Sequence, residues 1–216
     1  MEMTVKRVGD FEVTGDGSDQ AWQAVDWQTL GRVGEGQAQY ATRGKVAYSK
    51  TGMYFLFECE DQKLTCTMTR DFDDIYHEDV IEVFLWTDES EQVYFEYEIS
   101  PLGVELPILV SNHQGTFHGW LPWHFEGGRK TRTGTSVKGG TKASGASVEA
   151  WTAEFFIPFA LFQGLGGTPP VPGTKWRANL YRIDYDAGPA SHWAWCPDTG
   201  ANFHSFRQFG TLVFGE

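Results

Sequence analysis

Hydrophobic and polar residues alternate along much of this chain with the two-residue period of β-strands. The alternation is clearest at 53–60 and at 93–99. In the second segment, every second residue from Val93 to Ile99 is apolar, whereas Glu96 and Glu98 fall on the opposite face. The same pattern, or a short apolar run, predicts strands at 45–49, 82–86, 106–110, 147–159, 176–183 and 211–214.

Turn residues separate the predicted strands. Lys50, Thr51 and Gly52 join 45–49 to the next strand as a hairpin, and Pro101 with Gly103 ends the strand at 93–99. The helical pattern is limited to a brief turn at 160–165, and strands do not alternate with helices. The sequence therefore predicts an all-β fold, an antiparallel β-sandwich of the jelly-roll-like kind, with a single domain over residues 1–216.

Three segments between these strands are interpreted differently. Residues 15–30 carry Trp22, then Ala24 or Val25, and Trp27 at spacings that suit a cap lying against a sheet. Residues 111–128 are rich in glycine and histidine and carry Trp120 and Trp123, which favours a long functional loop. Residues 131–146 are rich in Gly, Ser, Thr and Lys, which predicts exposed surface.

Composition narrows the choice of partner. Hydrophobic residues make up 41% of the chain and aromatic residues 15%, which is enough for a core. The formal net charge of −12 would repel nucleic acid and anionic membranes. We expect no membrane insertion, because no apolar run could span a bilayer. As written, the chain is expected to be soluble and cytoplasmic; an exported protein without its leader would look the same.

The three cysteines, Cys59, Cys66 and Cys196, have neither the spacing of a zinc site nor the even number of a disulfide framework. Cys59 lies in a predicted strand and is interpreted as a small buried hydrophobic residue. His113, His118 and His124 fit no metal-binding spacing and are interpreted as scattered loop histidines.

An acidic loop runs from Asp71 directly into the strand that ends at Trp86. Its carboxylates are of the type that calcium prefers, although the spacing of an EF-hand is missing. A structural Ca²⁺ is one interpretation of this loop, and simple solvation of the acids is the other. The candidate ligands are Asp71, Asp73, Asp74 and Asp79, with Glu78 between them.

Several motifs, in this order along the chain, resemble the family 9 carbohydrate-binding modules and the related family 9-like domains. They are GDGSDQAWQAVDW, IYHEDVIEVFLW, YFEYEISPLG, WTAEFFIPFALF, KWRANLYRID and the tail from HWAWCP to FRQFGTLVF. The resemblance implies a β-sandwich that binds sugars, in its best-known members the end of a glucan or xylan chain held between two aromatic rings, with structural calcium nearby.

The resemblance also implies a set of ligand-binding residues. Tyr76 falls where the family's first stacking ring would lie, in place of the tryptophan of well-known members, and Glu82 falls where its hydroxyl-binding carboxylate would lie. Trp193 or Trp195 would supply the second ring, with Asn179 and Arg182 on the neighbouring strand. This chemistry suits a sugar, whose apolar ring face stacks on an aromatic side chain and whose hydroxyls bond charged groups.

Each of these residues has a structural alternative. Tyr76 would otherwise pack beside its strand, and Glu82 would form a salt bridge with Arg182. Trp193 and Trp195 share one face of a strand, so both would line the cleft or both would lie in the core. Trp120 and Trp123 would either bind a ligand or pack within their own loop.

The sequence thus predicts a carbohydrate-binding protein without catalytic activity. One alternative is a haem-binding domain of the related DOMON type, with Met68 and either His77 or His192 as iron ligands. The other is a glycoside hydrolase, which needs two carboxylates that flank a cleft. The hydrolase is less favoured because the acids of the loop are contiguous, and a second, opposed carboxylate is not evident.

Overall fold

The computed structural model describes residues 1–123, 126–186 and 188–216. In these residues the regular structure consists of fourteen β-strands and six short 3₁₀ turns. The strands are β1 Glu2–Arg7, β2 Gln28–Thr29, β3 Gly31–Val33, β4 Thr42–Tyr48, β5 Gly52–Glu60, β6 Val80–Trp86, β7 Val93–Ile99, β8 Glu105–His113, β9 Thr116–Pro122, β10 Arg132–Lys138, β11 Ala150–Pro158, β12 Lys175–Asp184, β13 Ser191–Ala194 and β14 Gly210–Phe214. The 3₁₀ turns are Gln20–Ala24, Ile75–His77, Gly127–Arg129, Phe159–Phe162, Pro197–Thr199 and Phe206–Gln208.

The strands form one sheet that curls so that its two halves face each other. Sheet A has the order β14-β12-β6-β7-β8-β9; in addition, β13 pairs with β12, and β3 pairs with β13. Sheet B has the order β4-β5-β11-β10, with β2 beside β4. Strand β1 joins the halves, because it pairs in parallel with β14 and then with β4. The other strand pairs are antiparallel, and the predicted β-sandwich is confirmed.

The main core lies between the two sheets and follows the predicted alternation. Phe55 and Phe57 of β5 belong to the same core cluster as Phe95 and Tyr97 of β7, and all four side chains are fully buried. Burial of side chains of this size contributes about 1.5–3 kcal/mol each. Cys59 belongs to the same core, as predicted, and the three cysteines are buried and unpaired.

The N-terminal segment covers the outer face of sheet B, which confirms the predicted cap. Trp22 and Val25 pack against Tyr54 of β5 and Phe156 of β11. The segment is anchored by Glu154, whose fully buried carboxylate accepts hydrogen bonds from the backbone and from the indole of Trp22.

A close backbone contact accompanies this anchor. Gly15 has a φ of +86°, and a Cβ built on Gly134 of β10 would lie 2.6 Å from the Gly15 Cα. Glycine is required at both positions, since a side chain on either would push the cap away from the sheet.

Two of the predicted connecting segments contain strands instead. The loop predicted at 111–128 is largely the hairpin of β8 and β9, whose turn is formed by Gln114 and Gly115, both with positive φ. The segment predicted as surface contains β10, an edge strand whose side chains remain at least partly exposed. His113 and His118 lie exposed on the β8–β9 hairpin, whereas His124 lies outside the described residues.

The outer face of sheet A carries a second apolar layer. It is formed by Phe84 of β6 and Tyr94 of β7, with Phe203, Phe206 and Phe209 of the C-terminal segment packed over them. The cover is incomplete and leaves a cleft above β6 and β7. In the part of the chain that is described, no helix has the length and apolar character needed to cross a bilayer.

Candidate functional site

The floor of the cleft is built by the alternation of two neighbouring strands. In β6, Ile81, Val83 and Leu85 point into the main core, so Glu82 and Phe84 point outward. In β7, the same alternation turns Glu96 and Glu98 outward. The antiparallel register sets Glu82 directly opposite Glu98 and Phe84 opposite Glu96, which brings three carboxyl groups onto one floor.

Aromatic and imidazole side chains form the walls. Tyr76 comes from the 3₁₀ turn Ile75–His77, Phe117 and Trp120 come from β9, and Phe203 comes from the C-terminal segment. The cleft has a volume of about 440 Å³, within the range of roughly 300–1,000 Å³ found for small-molecule sites. The remaining lining residues are His77, Ile108, Ile183, Tyr185, His192, Ala201, Asn202 and His204.

Hydrogen bonds and ring contacts hold these walls in place. The Tyr185 hydroxyl donates to the Tyr76 carbonyl oxygen at 2.9 Å, which fixes the backbone of the short turn. The Phe203 ring stacks on Tyr181 of β12 with centroids 3.8 Å apart. Phe117 lies 4.5 Å from the His204 ring and is 45% exposed, so it forms part of the rim. Tyr76 and Trp120 are both half-buried, with one part of each ring accessible from the cleft.

The three carboxyl groups of the floor are almost inaccessible to water. Glu82, Glu96 and Glu98 are 2%, 4% and 1% exposed. Burial raises the pKa of Glu96 to about 8 and the pKa values of Glu82 and Glu98 well above their ordinary range, and repulsion among the neighbouring carboxylates adds to the shift of the last two. At neutral pH the floor therefore carries less negative charge than three free carboxylates would.

The two inner histidines of the cleft are neutral. Burial lowers the pKa of His204 to about 4, and its Nδ1 lies 2.6 Å from the Tyr94 hydroxyl. Burial and the nearby Arg32 lower the pKa of His192. Neither ring carries a positive charge at neutral pH that would balance the carboxyl groups of the floor.

The structure brings Tyr76, Glu82 and Trp120 together, but it places the two predicted C-terminal tryptophans elsewhere. Trp193 and Trp195 do share one face, and this face points into the main core. Their exposed fractions are 1% and 3%, and the Trp193 indole donates to the Tyr40 carbonyl oxygen. Neither residue has a ring face that a ligand can reach, because the space beside it is filled by core side chains.

Asn179 has a structural role in the same region. Its side-chain amide donates to the Cys196 carbonyl oxygen at 2.9 Å and accepts from the Cys196 backbone N–H at 2.8 Å. The side chain is fully buried, and these two bonds attach the chain after β13 to β12.

Arg182 does not pair with Glu82, because the two side chains lie on opposite faces of sheet A. The register aligns Arg182 with Ile81, and Tyr181 with Glu82. The fully buried guanidinium instead contacts Asp61 at 3.2 Å and Asp184 at 2.7 Å. The alternative of a Glu82–Arg182 salt bridge was therefore wrong, and Arg182 is a structural residue of the interior.

Trp123 also points away from the cleft. Its indole donates to the Leu161 carbonyl oxygen at 2.6 Å, and its ring packs against the edge of the main core. Trp120 and Trp123 are three residues apart near the end of β9, and the strand directs them to different sides of sheet A.

The predicted calcium ligands are not brought together. Asp71 accepts from the Glu105 backbone N–H, Asp73 pairs with Arg70, and Asp74 is exposed. Glu78 is buried and accepts from the backbone N–H of Thr67 and Met68. Only Asp79 joins a carboxylate cluster, in which its oxygen and those of Asp61 and Asp184 lie within 4.8 Å of one another.

This buried cluster has its own partners within the protein. Arg182 supplies a positive charge to Asp61 and Asp184, while Asp79 accepts backbone N–H groups of Thr65 and Tyr185. Burial raises the pKa of Asp61 to about 7 and that of Asp79 to about 8. A calcium ion takes six to eight oxygen ligands, whereas this cluster offers three carboxyl groups that already accept hydrogen bonds from Arg182 and from backbone N–H groups, so it fits calcium poorly.

The structure brings only some of the iron ligands of the haem alternative into the cleft. His77 and His192 line the cleft, whereas Met68 is not among its lining residues and packs beside the apolar layer of sheet A.

A second, wider groove of about 940 Å³ lies on the other side of the protein, over β4, β5 and β11. Its charged residues include the exposed pair Arg43–Glu58, so we interpret this groove as a solvated surface and not as a binding site.

Sequence reasoning missed several lining residues. Glu96 and Glu98 had been assigned to the outward face of β7 without being connected to Glu82, and Phe117, Phe203 and His204 had not been singled out. The sequence contains one pattern that could have identified part of this set. Glutamates that alternate with buried residues on consecutive strands lie on one face, and the aromatic-rich tail indicates what covers that face.

The comparisons with known proteins agree on one family. The model of the carbohydrate family 9 binding domain-like family matches residues 13–216. A proposed carbohydrate-binding protein from Bacteroides uniformis has a similar structure, with a TM-score of 0.77 and 15% identity over 99% of this chain and 98% of that one. None of the curated proteins compared matches the chain.

Two similar structures contain sugars. A family 9 carbohydrate-binding module from Caldicellulosiruptor kristjanssonii in complex with cellotriose has a TM-score of 0.67 and 15% identity, over 100% of this chain and 94% of that chain. A family 9 module from the same organism in complex with glucose has a TM-score of 0.69 and 16% identity, over 100% and 97%. At these identities the likeness concerns the fold.

Proposed function

Because this chain belongs to the carbohydrate family 9 binding domain-like family, we propose that it binds carbohydrate in the cleft on the outer face of sheet A. The observation that carries the proposal is the juxtaposition of accessible rings and buried carboxyl groups in one space of about 440 Å³. Tyr76 and Trp120 supply the ring faces, and Glu82 lies on the floor between them as a partner for hydroxyl groups.

The physical chemistry of a pyranose ring supports this assignment. Its C–H face packs against aromatic carbon, while its equatorial hydroxyls need partners around the rim of the ring. A protonated carboxyl group can both donate and accept a hydrogen bond, so the raised pKa of Glu82 makes it suited to a neutral hydroxyl. Such a bond is strongest where water is excluded, as it is on this floor.

The ligand class that we propose is a glucan or xylan oligosaccharide, or the end of such a chain. Support comes from the related family 9 modules that were crystallised with cellotriose and with glucose. The cleft is open on one side, so a chain could extend beyond the sugar that the cleft encloses.

We propose binding without catalysis. Glycoside hydrolysis needs one protonated acid and one ionised carboxylate on opposite sides of the scissile bond. The structure corrects one sequence argument, since the cleft does contain several carboxyl groups with raised pKa values. Glu82, Glu96 and Glu98 nevertheless stand side by side on adjacent strands, and all three pKa values are shifted upward. This arrangement lacks the opposed pair.

Titration calorimetry with cellotriose, xylotriose and glucose tests the proposal, with and without added calcium. Replacing Trp120 by alanine should lower the affinity at least tenfold, equivalent to about 1.4 kcal/mol, because it removes a stacking face. Trp27→Ala is the matched control, since Trp27 is also half-buried but lies on the opposite side of the protein beneath Arg43.

The two variants give distinct outcomes. If Trp120→Ala and Trp27→Ala bind with equal affinity, the cleft is not the site. If no carbohydrate on a broad glycan array binds the unaltered protein, carbohydrate binding itself is refuted. Release of reducing sugar from any of these ligands would contradict the non-catalytic assignment.

A further inference from the structure

The cleft contains two buried acidic groups, Glu96 and Glu98, that interact with each other but receive few hydrogen bonds from the rest of the protein. In the described residues, no amide, hydroxyl or cationic group donates to either carboxyl oxygen of Glu98 or to Oε2 of Glu96. Both side chains are more than nine-tenths buried and line the cleft. Leaving such an oxygen without a donor is costly, so in a native protein it calls for a donor that the chain does not supply, such as an ordered water or a ligand.

The same protein satisfies comparable groups elsewhere. Glu154, which is also fully buried, accepts hydrogen bonds from three backbone N–H groups and from the indole of Trp22. Glu105, 5% exposed, accepts bonds from the hydroxyls of Tyr97 and Thr131. Buried polar atoms such as Asn112 Oδ1 and Trp151 Nε1 also lack a partner. Among the buried glutamates of the described residues, however, the buried carboxyl oxygens without a donor belong to Glu96 and Glu98 of the cleft.

The charges around the cleft indicate which partner fits. None of the described residues that line it is Lys or Arg. His204 and His192 are held neutral by burial, and the distance from His204 Nδ1 to Glu96 Oε2 is 4.0 Å. A ligand that donates hydrogen bonds would satisfy these oxygens, and a donor that also carries positive charge would in addition favour their ionised form.

The rings of the cleft favour the same kind of ligand. Tyr76, Trp120 and Phe84 surround the carboxyl groups, and a cation within about 6 Å of a ring face is attracted by the electrons of the ring. Rings and carboxylates together form an environment for an organic ammonium group. A bare metal ion fits less well, because the three carboxyl groups are not gathered within the distance of one coordination sphere, as the Asp61 cluster is.

We propose that the cleft prefers a sugar that carries a protonated amine, such as a glucosamine oligomer, over a neutral sugar of the same size. This inference rests on the proposed carbohydrate binding and adds the charge of the ligand. The ammonium group would donate to Glu98 and Glu96, while the sugar ring stacks against Tyr76 or Trp120. An N-acetylated sugar carries no positive charge, so we expect the cleft not to prefer it over a neutral sugar.

Binding of an amine should also release protons. The carboxyl groups of the floor hold protons more tightly than ordinary carboxyls do, and an ammonium group stabilises their ionised form. Affinity for the amine should therefore rise above about pH 5 and pass through a maximum, because the amino group of a glucosamine unit, made less basic by the neighbouring oxygens, itself loses its proton near neutral pH. The titratable groups that face the floor are Glu82 of β6, Asp74, Tyr76 and His77 of the neighbouring 3₁₀ turn, Tyr94 of β7, Tyr185, His192 of β13 and His204.

The test compares oligomers of equal length in calorimetry: β-1,4-linked glucosamine, its N-acetylated form and the cello-oligomer. We expect the glucosamine oligomer to bind at least about tenfold more tightly than the other two, with an enthalpy that depends on the buffer because protons are released. Glu98→Gln, which is isosteric, should bring the affinity ratio toward one. Glu12→Gln, an exposed change on the cap, should leave the ratio as it is.

Each outcome bears on one claim. If the cello-oligomer or the N-acetylated form binds as tightly as the glucosamine oligomer, the preference for an amine is refuted while carbohydrate binding stands. If none of the three oligomers binds, the proposed function is in question as well. Glu98→Gln should unfold at the same or a higher urea concentration than the unaltered protein, so a changed ratio cannot be attributed to misfolding.

Discussion

At the scale of single residues, Arg182 provides the positive charge for a buried acidic cluster inside sheet A. It is fully buried and contacts Asp61 and Asp184, and it donates further bonds to Thr42 and to the Glu60 carbonyl oxygen. Arg182→Met would leave the acids without a counter-charge. We expect the free energy of unfolding to fall by about 3–5 kcal/mol, measured by urea denaturation, because unpaired buried charges are costly.

The matched control for this change is Arg43→Met. Arg43 also pairs with an acidic side chain, that of Glu58, but both side chains of that pair are close to half exposed. An exposed pair contributes only about 0–1 kcal/mol. Equal losses in the two variants would contradict a special role for the buried cluster.

Trp195 gives a second prediction at this scale. A Cβ built on Gly210 would lie 2.4 Å from its ring, so the indole is packed tightly against β14. Trp195→Ala should destabilise the fold by about 3–5 kcal/mol through the cavity that it creates. The measurement is the urea midpoint, with half-buried Trp27→Ala as the control. A loss of sugar binding at unchanged stability would contradict this placement.

The residues of the candidate site could be predicted from the sequence only in part. Tyr76 and Glu82 were found through the family resemblance, and Trp120 was found because a large ring in a glycine-rich loop favours a binding role. Trp193 and Trp195 were correctly placed on one face, but a period of two does not tell which face is the core. Sheet A is covered on both faces, so alternation separates the faces without identifying the solvated one.

At the scale of elements, the N-terminal cap depends on one buried anchor. Glu154 of β11 binds the backbone of residues 14–17 and the Trp22 indole, so Glu154→Ala removes several charge-assisted hydrogen bonds at once. We expect a loss of about 3 kcal/mol in unfolding free energy and faster hydrogen exchange of the amides of Gly15 and Gly17. Glu149→Ala, at an exposed position just before the same strand, should change neither.

Two of the strands that were not predicted, β9 and β10, share a physical cause. Strands β9 and β10 are edge strands, so they carry few buried apolar residues and their pattern is weak. The turn of Gln114 and Gly115 is a two-residue hairpin turn whose first residue is not one of the usual Asn or Asp. Central strands such as β5 and β7 were predicted well, because one of their faces is fully apolar.

At the scale of the whole molecule, the excess of negative charge is partly held inside the protein. Three glutamates line the cleft floor, and three aspartates surround Arg182. Burial raises the pKa of most of these groups, which lowers their charge in the folded state. The folded protein therefore resists the self-repulsion that its composition of 29 acidic and 17 basic residues would otherwise produce.

This arrangement makes stability depend on pH in a direction opposite to that of most acidic proteins. A carboxyl group whose pKa is higher in the folded than in the unfolded state stabilises the fold while it is protonated, and this contribution is lost as pH rises through the folded value. For Glu96 that value is about 8. His204 and His192 have lowered pKa values and act in the opposite direction, but only below the ordinary histidine value of 6.5.

Above about pH 6.5, the pH dependence of stability therefore reports on the carboxyl groups and not on the two histidines. Between there and about pH 8.5, we expect the free energy of unfolding to fall by about 1–2 kcal/mol for each such group as it loses its proton. Glu96→Gln, which cannot ionise, should reduce the slope of stability against pH in urea titrations. Glu91→Gln, an exposed change in the turn before β7, should leave the slope unaltered. A stability that rises across this window would mean that the cleft floor is ionised in the folded protein, and the charge distribution described here would be wrong.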